Sequence, residues 1–127
     1  MNTKQITATR PLEYVCFFPV EVPTKEGNAY IYLTVDAYSG FAFNTGVEDN
    51  DRPETIIKHI YLLTENKDFV KQMGKDFTLV LHKYQELESR IKTVIEPVGG
   101  RLLFDGTYLS KIMAPVIKDM FKGMGKQ

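Results

Sequence analysis

The spacing of the hydrophobic residues changes at "DNDRPET", residues 49–55, and this change constrains the fold more than any other feature of the sequence. Before it, in stretches such as "AYIYLTVDAYSGFAF", apolar residues alternate with polar or aromatic ones. After it, apolar residues recur every three or four positions. Alternation is typical of strands, and the longer period is typical of helices. The chain is therefore predicted to begin with strands and to continue with helices.

Three strands are predicted in the first part. The first is "LEYVCFFPVEV", in which Pro19 predicts a bulge or an edge position. The turn "TKEGN" leads to a second strand that ends at Asp36, and "AYSG" leads to a third that carries Phe41 and Phe43 on one face. Short turns join sequential strands into an antiparallel meander.

Helices and strands alternate in the rest of the chain. A helix is expected to start around Asp51 and Pro53 and to reach the Met73–Gly74 region. The strand "FTLVLHKY", a helix over residues 85–96, the strand "GRLLFDGTYL" and a last helix follow, with Pro115 either starting or kinking that helix. The order β-β-β-α-β-α-β-α predicts a three-layer α/β fold, with a five-stranded mixed sheet and helices on both faces. The expected division is a flexible N-terminal arm over residues 1–11 and a single domain over residues 12–127.

Charge and composition exclude few function classes. Sixteen basic residues balance sixteen acidic ones, which disfavours a dedicated nucleic-acid binder. The sequence has no apolar run that could span a membrane and no secretory-signal pattern in "MNTKQITATRPLEY", so we expect a cytoplasmic protein. Cys16 is the single cysteine and is expected to be a core residue.

The stretch "VEVPTKEGNAYIYLTVDAYSGFAFNTGVEDNDRPETIIKHI" resembles the retroviral-type integrase and transposase catalytic core, and "VDAYSGF" is its most distinctive motif. "QELESRIKTVIEPVGGRLLF" is similar to a later helix and strand of the same core, so the resemblance covers residues 12–121. It implies a ribonuclease H-like fold. It also implies three carboxylates that hold two divalent metal ions for phosphoryl transfer.

The positions that the resemblance assigns to those carboxylates carry other residues. The first falls on Phe18, and the second falls on His82, which Lys83 follows. The third has no clear counterpart, with Asp119 nearest in count. The resemblance thus implies the fold without the acids, that is, a catalytically degenerate, non-catalytic binding or assembly module with no cofactor.

Two alternatives remain open. The first is a metal-dependent nuclease or polynucleotidyl transferase with a relocated site; its candidate residues are Asp36, His82, Asp105 and Asp119. Asp36 is nevertheless expected to hold the hairpin turn, and the Asp-Gly pair at Asp105 favours a turn. The second alternative is a nucleic-acid-binding domain that uses the basic last helix.

A protein partner or self-association is expected, through the aromatic hairpin or the last helix. The candidate interaction residues are Tyr30, Tyr32, Tyr38, Lys111, Lys118 and Lys122. His59 is expected to pack at the surface or at the boundary of the core rather than to bind a ligand.

Overall fold

The first half of the protein forms an antiparallel meander, as its alternating pattern predicts. The computed structural model describes residues 6–66, 69 and 76–124. The three strands are β1 (Tyr14–Thr24), β2 (Gly27–Asp36) and β3 (Ala42–Glu48). β1 pairs with β2 from Val15↔Asp36 to Thr24↔Gly27 without interruption, and β2 pairs with β3 with a shift of register between Ile31 and Leu33.

Helices and parallel strands make up the second half. The elements are α1 (Pro53–Glu65), β4 (Phe77–Leu81), α2 (Glu88–Ile95, after a 3-10 turn at Gln85–Leu87), β5 (Gly100–Phe104) and α3 (Gly106–Met124). β4 pairs in parallel with both β1 and β5. The sheet order is β3-β2-β1-β4-β5, so β1 is the central strand. The predicted fold class, a five-stranded mixed sheet in an α/β domain, is confirmed.

Two apolar layers cover the two faces of the sheet. α1 and α2 pack on one face, where their inward side chains are fully buried. α3 packs on the other face through Tyr108, Leu109 and Met113. Burial of these side chains is the main source of stability in a domain of this size. None of the helices in the described ranges is long and apolar enough to cross a membrane.

Several predicted boundaries differ from the structure. Arg52, not Asp51, precedes α1, and the Asn50 side chain accepts hydrogen bonds from the Arg52 N–H and the Thr55 hydroxyl. α1 ends at Glu65 because Asn66 has extended backbone angles. The rest of the predicted helix, to the Met73–Gly74 region, lies outside the described residues except for Phe69.

Pro19 lies within β1 and Pro115 lies within α3. The pairing of β1 with β4 covers only Tyr14–Cys16, so Pro19 lies where β1 has no neighbour on that side. This agrees with the edge position, and the register of β1 with β2 shows no bulge there. Pro115 lies inside α3, so the option that it starts the last helix is wrong.

Candidate functional site

The ends of β1 and β4 bring together the residues at which the resemblance places its first two metal-binding acids. Cys16 pairs with Val80, so continuing the parallel register sets Phe18 beside His82. Their ring centroids are 6.4 Å apart. The ammonium group of Lys83 lies 5.9 Å from the centre of the Phe18 ring and 5.2 Å from that of Tyr84. This part of the sheet therefore presents aromatic rings and a cation.

An open cleft of about 660 Å³ adjoins this cluster, and we call it the β4 cleft. Its lining residues are His82, Gln85, Phe104, Gly106, Thr107 and Ser110. A Cβ atom on Gly106 would clash with His82 Nδ1, so the imidazole packs directly on the first turn of α3. None of these lining residues is a carboxylate.

Hard divalent cations require oxygen ligands, usually several carboxylates. Within the described ranges, no three His, Cys, Asp or Glu side chains are close enough together to hold a metal ion. Lys83 would also repel a cation bound beside His82. The β4 cleft can therefore bind a ligand through aromatic, amide and hydroxyl groups, but its lining offers no two-metal site.

Asp105 caps a helix. Its carboxylate accepts a hydrogen bond from the Tyr108 N–H at 3.0 Å, and its carbonyl accepts one from the Leu109 N–H. These are the contacts of an N-cap residue, here for α3. The predicted turn is thus the start of a helix. The backbone N–H of Asp105 donates to the Leu81 carbonyl, which places Asp105 near His82.

Asp36 holds the β2–β3 turn. Its Oδ1 accepts hydrogen bonds from the N–H groups of Leu12 and Tyr38, at 2.9 and 3.1 Å, and its Oδ2 accepts one from the Ser39 hydroxyl at 2.7 Å. The side chain is almost completely buried. The contacts to Tyr38 and Ser39 are those expected of Asp before a turn. The contact to Leu12 ties the segment before β1 to the same carboxylate.

The four residues of the relocated acidic site do not converge. His82 and Asp105 are neighbours, but Asp36 pairs with Val15, about 10 Å along β1 from Phe18. Asp119 is exposed and lies thirteen residues after Gly106 in α3, about 20 Å along the helix axis. The grouping of Asp36, His82, Asp105 and Asp119 in one site is therefore corrected, because the sheet and the helix separate its members.

His59 is a core residue, contrary to the expected surface or boundary position. Its ring stacks on Tyr32 with centroids 4.0 Å apart and an interplanar angle of 8°. Nε2 lies 2.7 Å from Glu48 Oε2, and Nδ1 lies 2.6 Å from the Thr45 hydroxyl. Because a carboxylate only accepts, Nε2–H donates to Glu48, and in the neutral imidazole Nδ1 accepts from the Thr45 hydroxyl.

Two hydrogen bonds, the larger effect from Lys58 and the next from His59, lower the pKa of Glu48. The resulting chain of carboxylate, imidazole and hydroxyl was not predicted from the sequence. The helical spacing Ile56–His59–Leu63 was the available signal, because it places His59 on the inner face of α1.

The tyrosines expected at an interaction surface fall into three environments. Tyr32 is fully buried, so that assignment is corrected: its side chain points towards α1, and its hydroxyl donates to the Asn50 carbonyl at 2.8 Å. This burial raises its pKa. Tyr30 is half-buried, and Tyr38 is 53% exposed at the turn. Tyr38 can contact a partner directly.

The basic residues of α3 share one face. Lys111, Lys118 and Lys122 are exposed and follow one another at intervals of seven and four residues. That spacing aligns side chains along one side of a helix. We call them the lysine stripe.

The sheet order β3-β2-β1-β4-β5, with two helices on one face and one on the other, defines a ribonuclease H-like fold of the integrase-core type. The resemblance seen in the sequence is confirmed at the level of the fold. No family model matches the sequence, and no curated protein is similar to it in sequence.

Two solved structures of the HTLV-2 integrase catalytic core domain in complex with magnesium share the fold. The trimeric form matches with a TM-score of 0.65 at 12% sequence identity, over 93% of this chain and 74% of that one. The dimeric form matches with a TM-score of 0.65 at 11% identity, over the same shares. At sequence identities this low, the structural match establishes a common fold alone, and a function has to follow from the residues of the site.

Proposed function

We propose that this protein is a non-catalytic binding or assembly module built on the integrase-core fold. One observation carries the proposal: Phe18, His82 and Lys83 stand together where the resembled family carries two metal-binding acids. The first two turns of α3 add Gly106, Thr107 and Ser110 to the same cleft, and none of these three residues is acidic. Phosphoryl transfer by paired metals needs carboxylates at such positions.

Metal binding and strand cleavage test this proposal together. We expect Mg²⁺ and Mn²⁺ to leave the melting temperature unchanged, and a labelled DNA duplex to remain uncut in their presence. A doubly substituted variant, Phe18→Asp with His82→Asp, serves as the matched comparison because it places two carboxylates on adjacent strands. The variant should gain stability with Mn²⁺. Metal-dependent cleavage by the unaltered protein would refute the proposal.

Assembly is the second part of the proposal. Exposed aromatic residues at the hairpin, Tyr38 and Phe41, and Phe121 on α3 give apolar contact points for a second copy or a protein partner. The matched HTLV-2 domains are described in dimeric and trimeric forms. The proposal includes a cytoplasmic location, where the unpaired Cys16 thiol stays reduced.

The lysine stripe supports nucleic-acid binding as a second candidate function. Three aligned cations can contact successive phosphates, although the net charge of the chain is zero. Changing Lys111, Lys118 and Lys122 together to glutamine should then weaken duplex binding and reduce the salt slope by about 2 to 3. Lys25→Gln, in the exposed β1–β2 turn, is the control. An affinity and a salt slope that the triple change leaves unaltered would remove this candidate.

A further inference from the structure

A second cavity lies at the other end of the sheet from the β4 cleft. It has a volume of about 610 Å³, is partly open to solvent and is bordered by the β2–β3 turn, the segment before β1 and the end of α1. We call it the hairpin pocket. Its volume is within the range of small-molecule sites. Asp36 lies on its wall and pairs with Val15, near the start of β1, whereas the β4 cleft lies beyond the end of β4.

Four aromatic rings line the hairpin pocket: Tyr38, Phe41, Phe43 and Phe69. The Phe41 and Phe43 rings lie 5.9 Å apart at an angle of 31°, so they form one continuous wall. Phe69 is held from behind by an edge-to-face contact with Phe77 at 5.3 Å. Phe41 is 65% exposed, so its ring is accessible to a ligand.

The described wall of the hairpin pocket carries one negatively charged side chain. Asp36 is the one carboxylate on its described wall, and the described wall carries no Lys, Arg or His. The described partners of that carboxylate are two backbone N–H groups and one hydroxyl, all of them neutral. The described wall therefore offers no basic side chain opposite Asp36, which disfavours an anionic ligand beside this carboxylate.

Aromatic faces beside a carboxylate favour one class of ligand. The negative faces of aromatic rings attract a cation, and several rings around one site form the cage that recognises quaternary ammonium groups. Methyl groups on the nitrogen supply apolar surface for the phenylalanines and lower the cost of removing the cation from water. A bare metal ion is disfavoured, because a single carboxylate already engaged by three donors gives it too few ligands.

We propose that the hairpin pocket binds an organic cation through a methylated ammonium group. Tyr38, Phe41 and Phe43 contact the methyl groups, and Asp36 supplies the opposing charge. The site shares no residue with the β4 cleft or the lysine stripe, but it shares Tyr38 and Phe41 with the aromatic surface of the assembly proposal.

Titration with choline tests the site. We expect saturable binding by calorimetry at millimolar concentrations or below, and an upfield shift of the choline methyl protons in the NMR spectrum, because ring currents shield protons that lie over aromatic faces. The neutral carbon isostere of choline should bind about tenfold more weakly. A trimethyllysine peptide in a parallel titration distinguishes a side-chain source of the cation from a free small molecule.

Two variants and one control separate the contribution of the Phe41 ring to choline binding from that of the Asp36 charge. Phe41→Leu keeps an apolar side chain but removes the ring, and it should weaken choline binding about threefold to thirtyfold. Asp36→Asn keeps an acceptor for the backbone N–H groups and should abolish the preference for choline over its isostere. Tyr61→Leu, on the exposed side of α1, should leave binding unchanged.

The proposal is overturned if choline does not bind at about 10 mM. It is also overturned if the isostere binds equally well, or if Phe41→Leu changes binding no more than Tyr61→Leu does. Melting curves of each variant establish that it is folded, and Phe41→Leu is expected to fold because the side chain is mostly exposed.

Discussion

Asp36 receives three hydrogen bonds that join two segments distant in the sequence. The Leu12 N–H arrives from the segment before β1, and the Tyr38 N–H and Ser39 hydroxyl arrive from the turn after β2. Asp36 thus acts on the backbone, and its place in the structure explains an acid surrounded by apolar residues. At the scale of single residues, the buried polar side chains Asp36, His59 and Thr64 have hydrogen-bond partners, whereas the described contacts give the Thr34 hydroxyl none.

Replacing Asp36 tests that role. Asp36→Ala leaves the buried Leu12 N–H without a partner, so we expect the free energy of unfolding to fall by about 2 to 4 kcal/mol. Asp36→Asn keeps an acceptor and should cost less than half of that. Urea denaturation measures both. Equal losses from the two variants would contradict the role described for the carboxylate.

Glu48 gives the protein an acid-sensitive contact. Hydrogen bonds from Lys58 and His59 hold its pKa below the ordinary value of 4.5 in the folded state. The ionised Glu48 therefore stabilises the folded protein. Its contribution is complete above about pH 4.5 and is lost as the pH falls through the lowered pKa of the folded state. Melting temperature against pH should therefore fall less steeply in acid for Glu48→Gln than for the unaltered protein.

Glu54, exposed in the first turn of α1, provides the control for that experiment. Glu54→Gln should keep the acid dependence of the unaltered protein. If Glu48→Gln and Glu54→Gln give the same profile, Glu48 does not make the expected contribution.

At the scale of elements, α3 begins at a cap that the sequence suggested only as a turn. Asp105→Ala removes the acceptor of the Tyr108 N–H and should cost about 1 kcal/mol of stability. Asp105→Ser should restore most of it, because serine is also a good N-cap. Denaturation curves compare the three proteins. A loss that serine fails to recover would argue for a different role of the carboxylate.

The order of the strands and helices was predictable from the sequence. Which of their side chains face the core was less predictable. Alternation in β2 and the three-to-four spacing in α1 follow from local backbone geometry, so the strands and helices appear in the predicted order. The burial of Tyr32 depends on how α1 packs against β2, which no local pattern encodes. The burial of His59 agrees with its helical spacing from Ile56 and Leu63, a signal that the expected surface or boundary position did not take into account. The hairpin pocket was also missed, since Leu12, Phe43 and Phe69 come from three separate segments.

At the scale of the whole molecule, the exposed aromatic residues predict self-association. Light scattering should show a mass greater than 14.6 kDa that rises with concentration. Phe41→Glu tests the hairpin, and Phe121→Glu tests the last helix; the variant at the true interface should be monomeric, since a buried glutamate is costly. A monomer at every concentration would contradict the assembly part of the proposal.

The central position of β1 has a consequence for how the chain folds. β2 follows β1 after a two-residue turn, whereas β4 arrives about fifty residues after β1 ends. The hairpin can therefore form while the other side of β1 still exposes unpaired backbone groups. Pro19 has no N–H to offer on that side, which hinders pairing with the wrong chain. Pulsed hydrogen exchange during refolding should find amides of the β1–β2 ladder protected before those of β4 and β5.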